Sequence, residues 1–160
     1  MSALCLFQFT ANAQKLPDKQ EKYEFLHWYL TRKGLKQLSD TTVPFSIGSL
    51  KMKEIDRILA KKLTQAELRY LHRQIISTKI PNALDTMVFK RYDLITIPDA
   101  KAFRSYISMP IFSKDRKMAL IAYGIYCGIT CGEESIDVYI KTQKGSWKES
   151  HLFAFPVVMF

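Results

Sequence analysis

The chain has 160 residues, 48% of them hydrophobic and 12% aromatic, enough for one well-buried core and too few for two comfortable domains. That composition excludes a disordered chain, and no apolar run approaches the roughly 18–20 residues of a membrane span. The net charge of +9 belongs to the amino-terminal part: Lys15 to Arg104 holds 18 basic against 10 acidic residues, Ser105 to Phe160 only 6 against 5.

Ala3 to Phe9 is a short apolar run, followed by Ala11-Asn12-Ala13, the small-x-small pattern that precedes signal-peptidase cleavage. Residues 1–13 therefore read as a clipped secretory signal, the alternative being a first strand retained in the core. No lysine or arginine precedes the run, which places the true start of such a signal upstream. Cys5 lies on the wrong side of the run for a lipoprotein cysteine. Residues 14–160 are then a single α+β domain.

Pro17-Asp18 opens a helix to about Arg32, and Gly34 is placed to end it. Tyr23, Leu26 and Leu30 share a stripe that Phe25, Trp28 and Tyr29 widen, with His27 on its edge. Such a stripe is core before it is a ligand box. Lys36 to Ser49, with Pro44, Gly48 and several hydroxyls, predicts a loop. Leu50 to Leu63 returns to helical spacing at Met52, Ile55, Ile58 and Leu59. Thr64 with Glu67 makes a capping box for a third helix, whose buried stripe is Leu68, Leu71 and Ile75 with Ile76 alongside.

The most basic stretch is Lys51, Lys53, Arg57, Lys61, Lys62, Arg69 and Arg73, offset by Glu54, Asp56 and Glu67. It has the charge to meet phosphates. It lacks any recognised nucleic-acid motif, so a solvated helix face is the simpler reading, with weak attraction to anionic lipid or polysaccharide as the alternative. No nucleic acid is expected as a partner. Pro81 closes the helical region, and short strands are predicted around Met87-Val88-Phe89 and Leu94-Ile95-Thr96-Ile97.

The carboxy-terminal part predicts hairpins. Ile136, Val138 and Ile140 point one way, and Asp137, Tyr139 and Lys141 point to a wetter face. Setting Cys127 opposite Cys131 pairs Ala122 with Ile136, Leu120 with Val138 and Met118 with Ile140. A one-residue slip would set those apolar residues against Asp137 and Tyr139. The turn Ser113 to Arg116 extends the pattern, setting Ile111 opposite Met118, Met109 opposite Leu120 and Ile107 opposite Ala122. Nine apolar side chains would then share one face. Pro110 cannot donate to a ladder and marks an edge or a bulge. Gln143-Lys144-Gly145-Ser146 turns the chain into a last strand, Trp147–Phe155, of ambiguous register.

Once the signal is removed, Cys127 and Cys131 are the two cysteines left. An even count in an oxidising compartment favours a disulfide, and directly opposed strand residues lie about 4.5–5.5 Å apart at Cα, within the disulfide range. Inert buried thiols, or chemistry at the pair, are the alternatives. The C-x3-C spacing is off the usual zinc pattern, so no metal and no cofactor is expected. His151 or His72 could form a thiol–imidazole pair with Cys127, but Glu133 and Glu134 make the tip acidic. Those two glutamates are adjacent on a strand and would not converge as an acid/base pair. There is no G-x-S-x-G, no H-E-x-x-H and no phosphate-cradling glycine loop.

From Ser105 onward, P-I-F-S-K-D (Pro110–Asp115), C-G-I-T-C-G (Cys127–Gly132) and G-S-W-K (Gly145–Lys148) resemble the end of a group of uncharacterised exported bacterial proteins. The likeness covers about 45 residues. It implies export and a hairpin-rich end, and brings no activity. The expectation is two or three amino-terminal helices packed on a carboxy-terminal antiparallel meander. Its function would be non-catalytic binding of a small-molecule or protein ligand at the envelope or outside the cell. A small hydrolase or thiol-redox enzyme using Cys127 and Cys131 is the alternative. An aromatic-lined pocket favours the first, and a buried carboxylate–histidine pair the second.

Overall fold

The computed structural model describes residues 15–35, 37–45, 52–95, 104–126, 132–153 and 155–159. Along them run α1 (Lys19–Lys33), β1 (Gln37–Ser39), α2 (Met52–Leu59), α3 (Gln65–Ser77), β2 (Asp93–Ile95), β3 (Arg104–Ile107), β4 (Ile111–Phe112), β5 (Met118–Tyr126), β6 (Gly132–Lys141), β7 (Trp147–Glu149) and β8 (Val158–Met159). The fold is α+β. Its mostly antiparallel sheet runs β2-β1-β3-β5-β6-β7, with β4 joined to β5 and β8 to β6. Among the described strands, only β1 pairs in parallel, with β2 on one side and β3 on the other.

The β5–β6 hairpin carries the predicted register: Met118 faces Ile140, Leu120 faces Val138 and Ala122 faces Ile136. The ladder is described up to Tyr126 and Gly132, and Cys127 and Cys131 lie outside the described residues.

The preceding strand departs from expectation. Ile111 pairs with Leu120, not Met118, and Ile107 pairs with Tyr123, not Ala122. Between those pairs, Ser108, Met109 and Pro110 oppose only Ile121 and Ala122, which is a bulge of one extra residue. The Ser108 hydroxyl accepts from Ala122 N–H at 3.0 Å and so stands in for a ladder carbonyl. The bulge turns Ile107 and Met109 to the opposite face from Ile111. Seven of the nine predicted side chains therefore share a face, and two do not.

The sheet is covered on both sides. Met118, Leu120, Ala122, Ile136 and Val138 pack with Ile55 and Leu59 of α2 and Leu68, Leu71 and Ile75 of α3. Ala119, Ile121, Tyr123 and Tyr139 pack with Tyr23, Phe25, Leu26, Tyr29 and Leu30 of α1. The face expected to be wetter thus lies under a helix, and Tyr139 is only 1% exposed. Burying each of those large side chains contributes roughly 1.5–3 kcal/mol, reason enough for an aromatic helix to seek that surface.

Caps set the helix ends as the sequence predicts. Asp18 accepts from Glu21 N–H at the start of α1, and Gly34 closes it in the left-handed conformation at φ 67°. The Thr64–Glu67 capping box opens α3. Four other expectations are corrected. The segment read as a loop contains β1, and Met87–Phe89 is a turn held by Asp85, whose carboxylate accepts from Met87 N–H. Ile76 is 61% exposed, because α3 turns Tyr70 and Gln74 inward instead. The strand expected over Trp147–Phe155 is only β7, Trp147–Glu149, and β8, Val158–Met159, lies beyond it and pairs with Glu133 and Glu134.

Candidate functional site

Helix α1 lies over the sheet, and the segment from Ser77 to Arg91 runs past one of its flanks. Three clefts follow that flank, each sharing a lining residue with the next. The first, about 370 Å³, is lined by Lys19, Lys22, Tyr23, Ser77, Thr78 and Asn82 among others. The second takes over Lys19 and Tyr23 and adds Glu24, His27, Asp85 and Val88. The third takes over His27 and adds Trp28, Thr31, Arg32 and Arg91. The trough has lysines at one end, arginines at the other, and an aromatic, acid-rimmed middle.

Lys22 is the unusual member. Its side chain is half-buried and makes no hydrogen bond or ion pair among the described residues. Burial, and then the nearby Arg116 guanidinium, hold its pKa below the usual lysine range, while Glu21 pulls the other way. Glu21 is committed elsewhere: its carboxylate meets Arg116 Nε at 3.0 Å. Arg116, in the left-handed conformation at φ 60° in the β4–β5 turn, also bonds Tyr70 OH and, at 2.8 Å, the Lys15 carbonyl. That clamp ties α1, α3 and the hairpin together beside Lys22. The hydroxyls of Ser77 and Thr78 donate to Gln74 and Ile75 carbonyls, which holds the cleft's polar wall in place.

At the far end, Arg91 donates to Thr31 Oγ1 at 2.7 Å and lies 3.3 Å from His27 Nδ1. The His27 ring stacks on Phe89 at 4.9 Å. Burial, and then Arg91, lower its pKa, so near neutral pH the imidazole is neutral.

A second polar cluster anchors α1. Asp137 accepts from Tyr29 OH at 3.0 Å and Ser135 Oγ at 3.1 Å, and pairs with Lys33 Nζ at 2.7 Å. Lys33 also lies over the Tyr29 and Tyr123 rings. Burial, and then Asp137, push the Tyr29 hydroxyl far above its ordinary range, so it remains a donor. This cluster joins the last turn of α1 to β6 within the core layer, a structural role.

The residues weighed from the sequence are scattered. Cys127, Cys131 and Lys51 lie outside the described residues. His151 is exposed beyond β7, and His72 pairs with Asp56 between α3 and α2 with both side chains more than a third exposed. That is a carboxylate–histidine pair, but a surface one. Glu133 is exposed, whereas Glu134 takes a hydrogen bond from Tyr106 OH, consistent with neighbours on opposite faces. Lys53, Arg57, Lys61, Lys62, Arg69 and Arg73 are exposed along α2 and α3. No group of three metal-ligating side chains occurs among the described residues, and no helix there is long and apolar enough to cross a membrane.

The reading of the sequence did not single out Lys22. A lysine in a basic helix carries no periodic signal, and its cleft partners outside α1 lie more than fifty residues away. Comparison with protein-family models, curated proteins and solved structures returned no match.

Proposed function

We propose that this is an exported, non-catalytic binding domain, and that the cleft between α1 and the Ser77–Arg91 segment takes a small anion such as a phosphate or carboxylate. The observation that carries this reading is Lys22, a half-buried ammonium with no ion pair among the described residues, beside a second cation, Arg116, which takes the nearby Glu21 carboxylate. Partial burial of an unpaired ammonium is unfavourable, and Arg116 adds like-charge repulsion. A bound anion would remove both penalties, with Lys19 and Asn82 positioned around it. Export rests on the leader-like start and on the resemblance of the carboxy-terminal end. The alternative thiol enzyme rests on Cys127 and Cys131, outside the described residues.

A thermal-shift screen of the whole domain against inorganic phosphate, acetate, citrate and sugar phosphates tests the reading. One class should raise the midpoint with saturation, and Lys22→Met should lose the shift. A flat response to every anion, or an undiminished shift in Lys22→Met, would refute it.

A further inference from the structure

α1 also borders the turn between β6 and β7. There a cleft of about 300 Å³ is lined by Glu21, Glu24, Phe25, Trp28, Lys141 and Trp147 among others. Its floor is the buried Phe25 ring, with Trp147 perpendicular to it at 5.1 Å and Trp28 tilted against it at 5.6 Å. The two indoles are the only tryptophans of the chain, and both are partly buried against the core. Above them stand two carboxylates one helical turn apart. Glu21 is paired with Arg116, whereas Glu24 accepts only from the Gln20 amide, at 3.1 Å, and makes no ion pair among the described residues.

Indole faces attract cations, and a nearby carboxylate strengthens that attraction. The protein already uses one of these faces in that way: the Lys141 ammonium sits 5.5 Å over the Trp147 ring. Lys141 is exposed and can swing into solvent, which would leave an aromatic box with a free negative charge at its rim. We infer that this cleft binds a small organic cation of the trimethylammonium kind, with Lys141 holding the site until the ligand displaces it. The inference stands apart from the anion site, which depends on Lys22 and shares no lining residue with this cleft, although Glu24 and Trp28 also border the neighbouring clefts of the trough.

Because both tryptophans line the cleft, intrinsic fluorescence reports on it directly. Choline should change the emission saturably, on the order of millimolar. Its uncharged isostere, with carbon in place of the quaternary nitrogen, should not. Glu24→Gln should weaken the response about threefold or more, and Lys141→Met should strengthen it about as much. Lys22→Met should leave it unchanged. Equal responses to choline and its isostere would overturn the inference. So would a wild-type protein with a native circular dichroism spectrum and no response, even if Lys141→Met responded, since the cleft would then be filled by its own lysine.

Discussion

The side-chain amide of Gln74 bonds both backbone groups of Phe112: its Nε2 donates to the Phe112 carbonyl at 2.7 Å, and its Oε1 accepts from the Phe112 N–H at 2.9 Å. β4 has only two residues, flanked by Pro110, and α3 supplies to it what a neighbouring strand would. Gln74 is 1% exposed, so no solvent can take its place. Gln74→Leu would leave a buried donor and acceptor unpaired and should cost on the order of 2–4 kcal/mol. Urea denaturation measures this; wild-type stability in that variant would show that the clamp is dispensable.

Tyr106 lies across Gly124, its neighbour on β5, and reaches Glu134 on β6 beyond. A β-carbon on Gly124 would overlap the far end of the Tyr106 ring. Gly124→Ala should therefore destabilise the sheet by about 1–3 kcal/mol, and by much less in a Tyr106→Ala background. A double-mutant cycle by urea denaturation reads the coupling directly, and strictly additive losses would contradict it.

The capping box makes a pH prediction. The Thr64 hydroxyl, and then its N–H, hold the Glu67 pKa below the usual glutamate value. A carboxyl lowered in the folded state contributes stability that is present above its unfolded pKa and is lost as pH falls through its folded one. Thr64→Ala should thus cost about 1 kcal/mol at pH 7 and clearly less well below pH 4. Chemical denaturation at the two pH values checks the sign. A larger cost in acid would reverse the assignment.

The disulfide proposed for Cys127 and Cys131 is settled by intact mass. Alkylation of native oxidised protein should leave both sulfurs unlabelled, and prior reduction should label both. Two freely alkylated thiols without reduction would remove the bridge.

The hairpin was legible because Ile136, Val138 and Ile140 alternate without exception, and only one register keeps them against β5. The helix caps were legible because their signals are local. β1 was not: Gln37-Leu38-Ser39 has one apolar residue, and its pairing comes from partners more than fifty residues away. Pro110 announced the bulge, but counting apolar positions through it carried Ile107 and Met109 onto the wrong face. Tyr139 looked wet because alternation says which residues share a face, not what covers that face. The candidate site was illegible for a related reason. Lys22 becomes unusual only when Arg116 claims Glu21 and the Ser77–Asn82 wall closes beside it.

The central claim is that Lys22 is an unpaired cation awaiting an anion, and calorimetric titration with the anion that screening selects, across pH, tests it most directly. Binding should weaken as pH rises, with the loss beginning below the ordinary lysine range because the free amine's pKa is lowered, and should vanish in Lys22→Met. Binding that ignores pH up to that range, or that survives in Lys22→Met, would contradict the account.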